Sequence, residues 1–128
     1  MILHCLQILI GLFFAILFLQ SGLDKVFNFN GNKGYIASVF ENTFLKPFSG
    51  LLFLAITLLE VGAGLLCAAG IITFFVNAET ELLLRGLQLS ALSLLCLFFG
   101  QRMAKDYAGA AGLVAYFLLA AFGIWLFV

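Results

Sequence analysis

Residues 51–74 read LLFLAITLLEVGAGLLCAAGIITF, and this stretch decides what kind of molecule the chain is. A helix crosses a hydrocarbon layer of about 30 Å with roughly 20 mostly apolar residues. The run exceeds that length and carries a single charge, Glu60, near its middle. Its apolarity is continuous, without the period-2 alternation of a transmembrane strand, so the span is a helix that satisfies its own backbone. The margin for insertion is narrow. An acid near a helix centre costs about 2.5 to 3.5 kcal/mol, whereas Leu, Ile, Phe and Val return about 0.3 to 0.6 each. Ten such residues stand between Leu54 and Phe74, worth roughly 3 to 6 kcal/mol. A helix so close to balance keeps its carboxylate away from lipid.

Working outward, the remainder of the chain repeats the pattern. Of 128 residues, 65% are hydrophobic and 9% charged, against about 45 to 50% and about 25% in an ordinary soluble domain. Four apolar runs are expected as spans, at residues 3–27, 48–76, 81–99 and 108–128. The expected fold class is all-α, a polytopic membrane four-helix bundle forming one transmembrane domain. The first run lacks a basic leader and exceeds the roughly 15 apolar residues of a secretory signal, so it is kept as a permanent span. Between the first two spans, the spacing of Ile36, Val39, Phe40 and Phe44, with Ser38, Glu41 and Asn42 pointing elsewhere, predicts an amphipathic interfacial helix at about residues 35–45. Pro47 suits the first turn of the second span, where a missing N–H costs nothing.

Six basic residues balance six acidic ones, which gives nucleic acid nothing to bind. Lys25, Lys33, Lys46, Arg102 and Lys105 lie in or beside the first and third connections, and Arg85 alone is near the second. The positive-inside rule then expects those two connections to be cytoplasmic and both termini outside. Glu81 and Arg85, four residues apart, are expected as a surface pair.

At 100° per residue, Glu60 shares its face with Phe53, Ile56, Thr57, Ala63, Gly64, Cys67 and Ile71. The small members allow another backbone to approach. Leu54, Leu58, Val61, Leu65, Ala69 and Ile72 occupy the opposite, lipid-facing side. The first span offers a matching stripe of Gln7, Gly11, Phe14, Phe18, Ser21, Gly22 and Lys25. Gly11, Gly22, Ala63, Gly64 and Cys67 are therefore the expected packing residues. Ser21, Lys25, Glu60, Arg102, Asp106 and Tyr107 are expected in a polar cluster at one end of the bundle. Glu60 lies about 14 Å in from Leu51, so a direct pair requires Lys25 to reach upward or a water to bridge. Three uses of Glu60 stay open: a structural pair that fixes register, a contact to a ligand or quinone headgroup, and proton transfer.

The inventory of reactive groups is thin. Cys5, Cys67 and Cys96 are far apart and form no CxxC, which argues against thiol–disulfide exchange. The one histidine, His4, excludes a chain-internal bis-His haem and leaves no expected metal site. No GxGxxG or phosphate-binding loop occurs. No cofactor is evident, although a quinone or lipid contact stays open.

The segments LQSGLDKVF, LLEVGAGLLCAAG and FGQRMAKDYAGAAGL together resemble the DoxX family of small four-span membrane proteins. The resemblance covers nearly the whole chain and places weight on Ser21, Gly22, Lys25, Glu60, Gly64 and Asp106. Many members carry an arginine early in the first span, and here none precedes Lys25. The family is named for a subunit of a thiosulfate:quinone oxidoreductase, and eukaryotic relatives act as assembly chaperones or cargo receptors. The resemblance thus implies either a non-catalytic accessory or assembly subunit of a membrane complex, not an enzyme on its own, or a quinone-linked oxidoreductase subunit with Glu60 as proton or headgroup contact. The catalytic candidate in the second case is Glu60, with Lys25, Arg102 or Tyr107 at the headgroup. A transporter is less favoured, because four spans without repeats offer little for alternating access. The expected location is a bacterial cytoplasmic membrane, with lipid and either a membrane-protein partner or further copies of the chain as neighbours.

Overall fold

The structure, a computed structural model, describes every residue except Met1, Asn42, Phe44 and Leu45, and of Val39 the backbone alone. Its elements are α1 (Ile2–Phe27), α2 (Phe29–Val39), a 3-10 turn at Lys46–Phe48, α3 (Ser49–Asn77), α4 (Glu81–Met103) and α5 (Tyr107–Trp125). Strands are absent among the described residues. The helices α1, α3, α4 and α5 are long and apolar enough to cross a membrane. The chain is a multi-pass membrane protein whose outer faces contact lipid, and Leu58, Leu65, Ile72, Phe75 and Leu118 are exposed on them.

The central helix is α3, packed between α1 and α4, with α5 laid against α4 and touching α1 as well. Glycines set two of these contacts. A Cβ at Gly70 would lie 2.5 Å from the Leu83 backbone, and one at Gly86 would lie 2.7 Å from Cys67 N. Those pairings fix an antiparallel α3–α4 register, and extending it down the helices sets Phe53 opposite Gly100. Gly70 and Gly86 are additions to the expected packing set. Gly70 escapes the 3.6-residue reading because it lies about 80° round the helix from Glu60.

Buried hydroxyls are satisfied locally. Thr57 donates to Phe53 O, Ser90 to Gly86 O and Ser93 to Leu89 O, each within its own helix. At the other end of the bundle, buried Gln7 donates from Nε2 to Leu126 O at 3.0 Å, and His4 Nδ1 lies 3.2 Å from Gln7 Oε1. That bond ties the start of α1 to the close of α5.

The helix between the first two spans begins and ends earlier than expected: Phe29–Val39 in place of about 35–45. The NFNGNKG segment is helical despite the poor propensity of Asn and Gly, which tertiary contacts override. The Phe29 ring meets Phe53 edge-on at 5.1 Å, Lys33 Nζ lies 5.8 Å from the Phe29 ring centre, and Asn32 donates to Asn28 O. Asn42 and Phe44, which complete the expected amphipathic face, fall outside the described residues, as does the side chain of Val39. At the far end of α2, Phe40 packs at the Gly100 surface. Phe53 and Gly100 share a height, so α2 lies across the bundle end. Pro47 sits in the 3-10 turn just before α3, and α4 runs on to Met103, past the residue-99 boundary expected for it.

Candidate functional site

Glu60 is almost fully enclosed, with 2% of its side chain exposed, and Lys25 reaches it directly: Nζ stands 2.9 Å from Oε1. The contact is an ion pair by distance, and Oε1 has no hydrogen bond of good geometry among the described residues. Ser21, one turn before Lys25 on α1, stands beside the same carboxylate.

The pair forms without a bridging water because of where α1 ends. A Cβ on Gly22 would lie 3.1 Å from Val61 N, and one on Gly64 would lie 2.8 Å from Leu19 N. Both positions bring backbone against backbone, and together they define an antiparallel α1–α3 register. Continued downward, it places Lys25 opposite Leu58, only about 3 Å in height from Glu60 at 1.5 Å per residue. The C-terminus of α1 therefore ends level with Ile56, about 10 Å in from the start of α3, and α2 packs against both helices below it. The lysine does not climb from the interface; the helix carries it to depth.

Of the other residues expected at this end, Arg102, Asp106 and Tyr107 are engaged with one another's neighbourhood and not with Glu60. The Arg102 guanidinium lies over the Tyr107 ring at 4.4 Å. Asp106 is the N-cap of α5, its Oδ1 accepting from Gly109 N at 3.1 Å. An Asp ahead of a small-residue helical run is a capping signal that the sequence already contained. The structure thus divides the six polar residues into an inner trio, Ser21, Lys25 and Glu60, and an outer trio, Arg102, Asp106 and Tyr107. Among the packing residues, Gly11, Gly22, Ala63, Gly64 and Cys67 are all buried. Gly11 faces Leu83 of α4, while Cys67 Sγ lies 3.8 Å from Ser90 Oγ across the α3–α4 contact.

A feature that the charge pattern does not announce lies between α2, α3 and α4: a half-open apolar pocket of about 230 Å³ lined by Tyr35, Ile36 and Phe40, by Phe53, Ile56 and Leu59, and by Cys96, Leu97 and Gln101, with Asp106 also among its walls. Glu60 and Lys25 do not line it. Elsewhere, Arg85 and Glu81 form the expected i,i+4 pair at 3.5 Å, exposed on both sides. No group of three His, Cys, Asp or Glu side chains that could hold a metal ion occurs among the described residues.

The DoxX family model matches residues 6–83, which takes in α1, α2, α3 and the start of α4. The match spans the inner trio and both glycine contacts around it. The chain belongs to the DoxX family. No curated protein and no solved structure matches it. Within this DoxX chain, the matched region contains the α1–α3 seam, and the outer trio lies beyond its end.

Proposed function

We propose that this DoxX protein is a non-catalytic accessory or assembly subunit of a membrane complex, in which the Lys25–Glu60 pair locks α1 to α3 and so presents a fixed outer surface to its neighbours. The observation that carries this reading is that the deepest carboxylate is committed to a lysine at 2.9 Å within a seam closed by Gly22 and Gly64. Of the other buried polar side chains, Gln7 ties α1 to Leu126 O, while Thr57, Ser90 and Ser93 are satisfied by carbonyls of their own helices. Breaking a buried pair by removing one partner is far more costly than replacing both. A pair used as a lock is thus replaceable as a unit, whereas a proton carrier is not.

That distinction supplies the test. The Lys25→Met/Glu60→Leu double variant is expected to reach the membrane at wild-type abundance and to retain the same co-purifying proteins in mild detergent. Normal abundance and partner retention together with lost quinone reduction by the purified assembly would overturn the accessory reading in favour of a redox role. The same proposal places the protein in a bacterial cytoplasmic membrane with the first and third connections inside. Lys33, Lys46, Arg102 and Lys105 support that orientation against Arg85, with Lys25 removed from the count because the bundle holds it. Modification of a cysteine introduced at Lys105 by an impermeant reagent in sealed cells would reverse the orientation.

A further inference from the structure

Below the Lys25–Glu60 pair, the next layer of the bundle is completed by α2. On α3, Thr57 and Phe53 continue the Glu60 face toward the start of the helix. Phe53 is fully buried, and Phe29 meets its ring edge-on at 5.1 Å. Phe29 follows Lys25 by one turn's length of chain, so the two rings stand between the ion pair and the bundle end. The helix that carries Phe29 is weak by itself. It has 11 residues, among them Asn30, Gly31, Asn32 and Gly34, a length and composition at which an isolated helix does not hold in water. Its N-cap, Asn28, leaves helical geometry at ψ 51° and makes no side-chain capping bond. Asn32 stitches the junction by donating to Asn28 O and Asp24 O. Beyond that, docking holds the segment: Phe29 on Phe53, Lys33 Cε 3.6 Å from where a Gly50 Cβ would lie, and Phe40 at Gly100. Between those fastenings, Gly34 has nothing within 4 Å of its Cβ position. Segments held by few contacts open locally while the rest of the fold stays closed.

We propose that α2 is a strap that gates water access to the Lys25–Glu60 pair: docked, its Phe29 ring closes on Phe53 and keeps the pair dry; undocked, it lets water reach both charges. The inference rests on the lock proposed above and gives that lock a control. The pair is closed over at its carboxylate, 2% exposed, and such exposure as it keeps belongs to the lysine, at 18%. Water around the two groups screens their attraction and removes the penalty for leaving a separated charge buried. Release of α2 therefore loosens the α1–α3 register with no change in either charge.

Lysine acetylation reads the gate. Full-length protein in phosphatidylcholine nanodiscs would be treated with sulfo-N-hydroxysuccinimide acetate, which is water-soluble, and the rate at Lys25 followed by mass spectrometry against that at Lys105, an exposed lysine between α4 and α5. Lys25 is expected to react only through the open state and so much more slowly than Lys105. Gly34→Ala strengthens α2 without touching a neighbour and is expected to slow Lys25 by about twofold to fivefold, the factor that corresponds to the helix preference of Ala over Gly. Phe29→Ala is expected to speed it at least about tenfold, less than the full effect of truncating a buried phenylalanine. Neither change is expected to move Lys105. Cys67, buried at the α3–α4 contact, reports on the rest of the fold and is expected to resist N-ethylmaleimide in every variant. Lys25 reacting as fast as Lys105 in the wild type, a Lys25 rate that Gly34→Ala leaves unchanged, or one that Phe29→Ala leaves unchanged with Cys67 still protected would each overturn the gate. Should Phe29→Ala expose Cys67, the stabilising Gly34→Ala decides alone. The lock fails separately, since the Lys25→Met/Glu60→Leu variant tests the pair itself and the labelling tests only whether α2 governs access to it.

Discussion

The α1–α3 seam and the α4–α5 contact are built from similar residue types and end in different states. Both are rich in glycine and alanine. At the first, Gly22 and Gly64 admit the backbones of Val61 and Leu19, and the ion pair is sealed beside them. Along α5, by contrast, Gly112 is exposed with open space where a Cβ would be, only Ala110, Ala120 and Gly123 are buried, and a Cβ on Gly123 would meet side chains, Ile10 at 2.9 Å and Leu87 at 3.2 Å, with no backbone atom among its nearest neighbours. A half-open apolar groove of about 170 Å³, walled by Leu94, Phe98, Val114 and Phe117 among others, lies between α4 and α5. Small residues permit close approach in a membrane but do not enforce it. Where a buried charge pair is present, at the α1–α3 seam, it adds a constraint to the glycine contacts that by themselves close α3 against α4 at Gly70 and Gly86.

The comparison breaks most visibly if the charges are removed singly. Glu60→Gln or Lys25→Met leaves one member of a largely buried pair uncompensated and is expected to lower stability by about 3 to 5 kcal/mol. Reversible unfolding in mixed SDS micelles, or the fraction of expressed chain that reaches the membrane folded, reads this loss. A mild effect at both positions would mean that the seam closes through glycine contacts alone.

Next in size, the two sets of glycines should respond with opposite signs. Gly64→Ala sets a Cβ 2.8 Å from Leu19 N, backbone that cannot swing aside, and is expected to destabilise by about 1 to 3 kcal/mol. Gly112→Ala meets nothing within 4 Å and is expected to stabilise by about 0.5 to 1 kcal/mol, the ordinary gain of Ala over Gly in a helix. The same unfolding assay reads both, and matching signs would erase the distinction between the regions.

At the turn into α5, Asp106→Ala removes the bond to Gly109 N and is expected to cost about 0.5 to 2 kcal/mol. Faster amide exchange confined to the first turn of α5 would mark it as a cap. The smallest effect is expected at Ala78, which closes α3 at φ 55°. Because a left-handed residue with a Cβ is strained by about 1 to 2 kcal/mol, Ala78→Gly is expected to recover up to about 1 kcal/mol, seen as a rise in unfolding midpoint.

How much of this was legible beforehand follows the reach of each interaction. The four spans were readable because the bilayer's demand acts on composition, residue by residue, and the inward direction of Glu60 was readable because helical periodicity is local. The depth of Lys25 was not. It depends on the register between α1 and α3, which Gly22 and Gly64 set by contact across some 40 residues of chain, and the distance from Leu51 alone placed the lysine too far away. Grouping Arg102, Asp106 and Tyr107 with Glu60 failed to separate two trios for the same reason: a shared bundle end does not specify lateral neighbours. The bounds of α2 were hidden because Asn and Gly signal a loop locally, while Phe53 and Gly100 hold the segment from outside it. The pocket belongs to three helices at once and leaves no trace in any one of them.

The central claim is that Lys25 and Glu60 act as a single locking unit. A double-mutant cycle of Lys25→Met and Glu60→Leu, measured by unfolding in a lipid-containing micelle, tests it most directly. The account predicts that the double variant loses much less stability than the two single losses added together, by at least about 1.5 kcal/mol, within the range measured for residues in direct contact. Losses that simply add would show that the two side chains stabilise the bundle separately, and the lock would have to be abandoned.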